Sequence, residues 1–273
     1  MTKRREVLNR IKTLGEISAI MGALKNISTM ETRKLTRFLS SQQQVVDNIE
    51  DAAADFLHFY PLDAAVVLPP LHVELLIGSE RGFCGDFNTV ILQGFEKRRK
   101  DGTEKAIIVG RKLASEIIPL YPDMIALAGP GVADEVHAIL GPLVEALNDL
   151  RRTHGIYALT LWYRDDKAPL GVRKIPVLPP FAQAHKQDVA QAFPPRLNLS
   201  PDQFFAELAD HYIFAVLHAA LFTSLMTEHT QRIHHLEGAI RKIDEQSSTL
   251  KQKSNLLRQE EITEEIEEIM LGV

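Results

Sequence analysis

A glycine-bearing segment, Gly78 to Gly85, is the first candidate for chemistry in this chain of 273 residues. It reads Gly-Ser-Glu-Arg-Gly-Phe-Cys-Gly and lies between a predicted strand and a predicted helix, where a dinucleotide or phosphate loop would lie. The spacing fits neither motif, because G-x-G-x-x-G and a terminal glycine-lysine-serine/threonine are both missing. The carboxylates of Glu80 and Asp86 would also repel phosphate. We therefore interpret the segment as a structural turn whose glycines supply positive φ angles.

Cys84 is the single cysteine, so the chain has no internal disulfide. It lies near a predicted helix N-terminus, where a reactive thiolate would be favoured, but no histidine is close in sequence to activate it. A small buried side chain is the better interpretation.

Metal ligation is the next possibility, since histidines and glutamates gather late in the chain. No pair of histidines at i,i+4 is framed by carboxylates as in a metalloprotease, and the terminal glutamates suit a solvated helix face. We expect no catalytic group, no metal and no cofactor. The histidines concerned are His211, His218, His229, His234 and His235.

The composition is that of an ordinary soluble protein, with 45% hydrophobic and 25% charged residues. A net charge of -5 gives no electrostatic reason to expect nucleic-acid binding.

Long helices are predicted at both ends of the chain. Residues 1–60 contain no proline and repeat apolar residues in alternating steps of three and four, until Pro61 ends the pattern. A second series of apolar residues with this spacing, called a seam below, begins at Ser200-Pro201-Asp202 and runs to residue 273. These three residues supply an N-cap, a first-turn proline and an acidic residue. Polar residues interrupt both seams, among them Glu31 in the first and Ser254 in the second. Seams this long predict an antiparallel coiled coil.

In the central part of the chain the spacing of apolar residues no longer follows one long helix, and strand patterns alternate with shorter helix patterns. Strands are predicted at 72–78, 105–110, 157–164 and 172–178, and helices at 87–100, from residue 111, and at 133–152. Strands that alternate with helices predict a sheet covered by helices. The predicted fold class is therefore α/β, with a Rossmann-like domain inserted between two coiled-coil helices. The predicted domains are 1–60, 72–198 and 200–273.

Three segments resemble the γ subunit of F-type ATP synthases. Ser79 to Asn88 is similar to the family's serine-aspartate-arginine-glycine-leucine-cysteine-glycine-glycine-leucine-asparagine motif. Asn255 to Ile266 resembles the family's C-terminal motif, which contains arginine-glutamine and isoleucine-threonine. Ile20 to Lys34 resembles the first motif in register, but Gly22 and Glu31 stand where the family has lysines. These differences leave two interpretations open, a divergent γ from an alternative, sodium-type operon or a γ whose partners have co-varied.

The resemblance implies a non-catalytic role as the central rotor stalk. The coiled coil would enter the hexamer of α and β subunits, and the α/β domain would rest as a foot on the membrane c-ring, together with the ε subunit. Ion flow would then be coupled to conformational change at β, on the cytoplasmic face of a prokaryotic membrane.

Site residues follow from the same resemblance. Arg258 and Gln259 would meet the catch loop of β, while Arg232, Thr263 and Glu265 would help couple rotation to catalysis. The first strand-to-helix turn of the foot would comprise Ser79, Glu80, Arg81, Gly82, Cys84, Gly85 and Asn88. Two other functions stay open, a coiled-coil adaptor or scaffold unrelated to ATP synthesis, and a small nucleotide-dependent enzyme with helical extensions.

Overall fold

The computed structural model describes residues 2–61, 71–98, 105–155, 157–181 and 193–272. Two very long helices enclose a region of alternating strands and shorter helices. The helices are α1 (Thr2–Phe59), α2 (Phe87–Arg98), α3 (Arg111–Ile117), α4 (Val136–His154) and α5 (Pro201–Leu271). The strands are β1 (Leu71–Ile77), β2 (Lys105–Val109), β3 (Ile125–Leu127), β4 (Tyr157–Arg164) and β5 (Val172–Leu178). The predicted α/β region between long terminal helices is thereby confirmed.

The strands form one sheet in the order β3-β2-β1-β4-β5. β1 pairs in parallel with both β2 and β4, and β2 pairs in parallel with β3, whereas β5 is antiparallel to β4. Five consecutive residues of β1 are buried, as expected for a central strand covered on both faces. β3 was missed from the sequence because three residues are too few to show a period.

The helix predicted at 133–152 begins differently in the structure. A single turn of 3-10 helix, Ala133–Glu135, precedes α4, which continues through Pro142 to His154.

The chain divides into two compact units. One unit, called the foot unit below, comprises residues 31–231 and contains the whole sheet; the other, the coil unit, comprises Met1–Met30 and Arg232–Val273. In the foot unit one apolar core lies between one face of the sheet, α4 and parts of α1 and α5, and a second core lies under α2 and α3 on the other face. The sheet is therefore covered by the chain's own helices on both sides.

Within the foot unit α1 and α5 run antiparallel. The ring of Phe38 lies 6.0 Å from that of Phe222, and Nδ1 of His218 lies 2.7 Å from Oε1 of Gln42. Further along α1, the ring of Phe56 packs 4.9 Å from that of Phe204. Residue numbers rise along one helix as they fall along the other, which is the predicted antiparallel arrangement.

The coil unit shows the same antiparallel pairing. Arg4 forms an ion pair with Glu261 at 3.2 Å, and Lys25 forms one with Glu237 at 3.7 Å. Ser254, predicted to interrupt the seam, is buried, so the pairing accommodates this small polar residue instead of turning it to solvent.

One 18-residue window of α5 has a mean hydropathy of 1.3, so by length and composition this helix could cross a membrane. Half of that window is buried inside the protein. The core helix of a soluble protein has the same properties, because its apolar side chains also face a non-aqueous environment.

The aromatic cluster around Phe56 gives a test of the antiparallel pairing of α1 and α5. Phe56 is 1% exposed and packs against Tyr60, Phe204 and Phe205. Phe56→Ala should lower the free energy of unfolding by roughly 3–5 kcal/mol, because a large buried ring is lost and a cavity remains. Denaturant titration followed by circular dichroism measures the change.

The matched control for this test is Phe193→Ala. Phe193 is 81% exposed, so its truncation should change the free energy of unfolding by less than about 0.5 kcal/mol. Equal effects of the two substitutions would contradict the aromatic cluster.

Candidate functional site

The predicted turn follows β1 directly and lies where the parallel strands end. The backbone N–H of Gly78 donates to the carbonyl of Val109 at the end of β2, at 2.8 Å. A Cβ atom at Gly78 would overlap the side chain of Leu113 on α3. This glycine is therefore required for close helix packing, and no phosphate need be invoked to explain it.

Positive φ angles occur in the turn at Gly85 (61°) and Phe83 (65°). The first was predicted, but Phe83 rather than Gly82 has the second. A non-glycine residue in this conformation is strained, and the surroundings must hold it there.

Glu80 holds the ends of three parallel strands together. Its Oε2 accepts hydrogen bonds from the backbone N–H of Arg111 at 2.9 Å and of Gly129 at 2.7 Å, just after β2 and β3. Its Oε1 lies 2.5 Å from Nε of Arg111. Because Glu80 itself follows β1, one nearly buried carboxylate fixes three neighbouring loops.

Ser79 and Asn88 close the two ends of the turn. Oδ1 of Asn88 accepts from the backbone N–H of Ser79 at 3.0 Å and from its hydroxyl at 3.1 Å. Between them Cys84 is buried, and its Sγ lies 3.3 Å from the carbonyl oxygens of Arg81 and Gly82. The expectation of a small buried cysteine is confirmed.

A side chain from α5 occupies the concave face of the turn. Glu228 is 3% exposed, and its carboxylate accepts from the backbone N–H of Glu80 at 3.2 Å and of Arg81 at 3.4 Å. Successive backbone N–H groups in a turn form an anion-binding concavity. Here the anion is supplied by the chain itself, so this pair of donors is already engaged.

A second carboxylate, from α1, binds the loop before α4. Oε2 of Glu31 accepts from the backbone N–H of Ala133 at 3.0 Å. The neighbouring Lys34 bonds Asp134 at 2.5 Å, and this hydrogen bond raises the pKa of Lys34. Glu31 interrupts the predicted seam because it is a hydrogen-bond acceptor for the α/β domain.

Sequence reasoning missed the role of both glutamates. Glu228 binds a turn 148 residues earlier, and Glu31 binds a loop 102 residues later, so no local pattern links either pair. The available signal was a charged residue in or beside an apolar seam, because a charged side chain that is buried there needs a hydrogen-bond partner.

The coupling residues expected on α5 belong to the coil unit, whereas the turn belongs to the foot unit. Arg232 is buried, while Arg258, Gln259 and Glu265 are exposed. Thr263 is also exposed, and its hydroxyl donates to the carbonyl of Gln259 at 2.9 Å. Nothing in the described part of the chain gathers three metal-ligating side chains.

Comparison with known proteins agrees with this architecture. The sequence model of the family described as ATP synthase matches residues 3–273. The ATP synthase gamma chain of Fusobacterium nucleatum is 24% identical, over all of this chain and 99% of that protein. The corresponding chain of Saccharopolyspora erythraea is 25% identical, over all of this chain and 97% of that protein.

Solved structures show the same fold. A chain of the Euglena gracilis mitochondrial ATP synthase, from its OSCP/F1/c-ring structure, superposes with a TM-score of 0.73 and 16% identity, covering 98% of this chain and 93% of that one. A chain of the rotor of that enzyme superposes with a TM-score of 0.69 and 16% identity, covering 96% and 99%.

A family model that spans nearly every residue, on a sheet domain between two antiparallel helices, defines the class: the chain belongs to the ATP synthase family. Within that family it belongs to the γ chains, the central-stalk subunits of F-type ATP synthases.

The Glu80 contacts lead to a stability prediction. Glu80→Gln should lower the free energy of unfolding by roughly 1.5–3 kcal/mol, because an amide cannot accept all the hydrogen bonds that the buried carboxylate accepts. Asp123→Asn, at an exposed position before β3, is the control and should have little effect. Thermal unfolding of both variants measures the difference; equal midpoints would contradict the capping role of Glu80.

The occupied turn leads to a binding prediction. The isolated chain should show no saturable binding of Mg-ATP, because Glu228 already engages the N–H groups of Glu80 and Arg81. Isothermal titration calorimetry is the measurement. Stoichiometric binding at micromolar concentration would contradict this interpretation and favour the nucleotide-dependent enzyme.

Proposed function

We propose that this chain is the rotor stalk that couples ion flow through the membrane c-ring to conformational change at the catalytic β subunits. The observation that carries the proposal is the exposed apolar surface of the coil unit, in a chain of the γ family. Many large apolar side chains of this unit are more than a third exposed: Leu8, Ile17, Ile20, Ile27, Met30, Leu256, Ile262, Ile266, Ile269, Met270 and Leu271.

Each of these large apolar side chains would be stabilised if a partner covered it, because burial removes apolar surface from water. If the coil unit turns inside the hexamer of α and β subunits, those partners would cover these side chains. The exposed surface therefore favours a chain enclosed by the catalytic hexamer over a free-standing enzyme.

Contact with β is assigned to Arg258 and Gln259. Both side chains are exposed on α5 and thus accessible to a partner. An arginine suits a carboxylate on β, because its planar guanidinium makes two parallel hydrogen bonds. Thr263 and Glu265, between one and two turns further along α5, would complete the contact. Arg232 would support coupling from within the coil unit.

The foot domain, with the turn from Ser79 to Asn88, would rest on the c-ring beside the ε subunit. The Euglena chain that superposes on this one comes from an assembly that includes a c-ring, which supports this part of the proposal. The chain would then lie at the cytoplasmic face of a prokaryotic membrane, held there by its partners. The functional division would be 1–60 and 200–273 for the coiled coil and 72–198 for the foot.

The alternative is a coiled-coil adaptor unrelated to ATP synthesis. An adaptor would also expose an apolar coil, but it would not assemble with α and β chains. Co-purification with those chains, followed by ATP-driven ion transport in vesicles, tests the proposal directly; a chain that fails to assemble would overturn it.

The contact with β has its own prediction. The double variant Arg258→Ala with Gln259→Ala should leave the complex assembled but change its steady-state ATP turnover, because the contact differs among the three β conformations. Turnover and pumping in the purified complex are the measurements. As an exposed ion pair alone, Arg258 would contribute less than about 1 kcal/mol and assembly would not depend on it.

The matched control is Arg241→Ala with Gln252→Ala, two exposed residues of the same helix. If both double variants match the parent chain, the assignment of Arg258 and Gln259 is wrong, while the family assignment stands.

A further inference from the structure

Glu228 and Glu31 bind the same α/β domain from two different helices. Glu228 on α5 holds the N–H groups of Glu80 and Arg81, and Glu31 on α1 holds the N–H group of Ala133. We call these two glutamates and their backbone donors the carboxylate clamp.

The clamp lies at one end of the foot unit. Glu31 is the first residue of this unit on α1, and Glu228 lies three residues before its end on α5. The Phe56 cluster lies further along the helix pair. The clamp therefore binds the two helices at the point where both leave the foot unit.

The two loops held by the clamp are themselves connected. Glu80, in the first loop, accepts from the N–H of Gly129 in the second, and the guanidinium of Arg81 packs against Gly131. Glu135 accepts from the N–H of Gly131 at 2.7 Å, which fixes the second loop to the start of α4. These polar contacts, together with the covalent chain of the two loops, therefore connect α5 to α1.

The clamp differs physically from the rest of the contact between helices and sheet. The remaining contact is largely apolar packing, and the hydrophobic effect is not directional. Hydrogen bonds to an ionised carboxylate are stronger than neutral ones and depend on angle, so they resist a rotation of the helices against the domain. Water cannot replace the bonds of Glu228, because its side chain is buried.

We propose that Glu228 and Glu31 are positioning residues that transmit torque between the α/β domain and the helix pair. This inference rests on the proposed function, since torque requires a rotor. The c-ring would turn the domain, and the clamp would make both helices turn with it. Without the clamp, part of each step would be absorbed as slip or twist at the end of the foot unit.

The test uses Glu228→Gln and Glu31→Gln in the complete ATP synthase. Glutamine keeps the shape of the side chain but removes its charge. Both oxygens of Glu228 accept from backbone N–H groups, so glutamine there also turns an N–H₂ group towards one of these donors. At Glu31 the amide oxygen can still accept from Ala133, but as a weaker, neutral acceptor. The controls are Glu207→Gln on α5 and Asp51→Asn on α1, both exposed positions of the foot unit. They make the same chemical change on the same helices without touching the clamp.

Three measurements test the clamp, and the last two of them separate torque transmission from a purely structural role. The first is hydrogen exchange of the full chain, in which the amides of Glu80, Arg81 and Ala133 should exchange about tenfold faster in the clamp variants. The second is the number of ions pumped per ATP hydrolysed in vesicles, and the third is the angular fluctuation of a probe on the foot unit. Clamp variants should hydrolyse ATP at the control rate, pump fewer ions per ATP and fluctuate over a wider angle.

Each failure points to a different conclusion. Unprotected amides at Glu80, Arg81 and Ala133 in the parent chain would overturn the clamp itself. Faster exchange with an unchanged ion-to-ATP ratio and unchanged fluctuation would overturn torque transmission and leave a stabilising contact only. A parent chain that does not assemble with α and β would overturn the proposed function, and the torque role with it.

Discussion

The buried carboxylate of Glu228 is the constraint on which much of the foot unit depends. An ionised group in a protein interior is costly unless hydrogen bonds replace its water, and here the N–H groups of Glu80 and Arg81 supply them. The turn must therefore keep the conformation that presents those donors. The same hydrogen bonds fix α5 against the carboxyl ends of the parallel strands.

This arrangement also explains why a Rossmann-like topology here carries no nucleotide loop. In nucleotide-binding proteins of this topology, the turn after the first strand offers its N–H groups to a phosphate. In this chain the carboxylate of Glu228 accepts hydrogen bonds from those N–H groups. The carboxylate of Glu80 in turn joins the loops after β1, β2 and β3. The backbone donors of this turn are thus engaged by a side chain of the same protein.

The two units differ in how many of their large apolar side chains are exposed. The foot unit buries both faces of its sheet under its own helices, so it has complete apolar cores. In the coil unit, residues such as Ile20, Met30 and Ile269 are left exposed on paired helices. The coil unit thus leaves large apolar side chains exposed more often along its helices, although the foot unit also exposes some, such as Leu170 and Phe193.

The sequence by itself determined the long helices, four of the five strands and the family, because these depend on local period and on contiguous motifs such as Ser79 to Asn88. It also predicted a structural turn and a buried Cys84. Only the tertiary structure decided that Glu228 and Glu31 hold that turn and the loop before α4, since the partners lie more than a hundred residues apart in the chain. Periodicity reports which face of a helix is buried, but a hydrogen bond between distant segments exists only once the fold has brought donor and acceptor together.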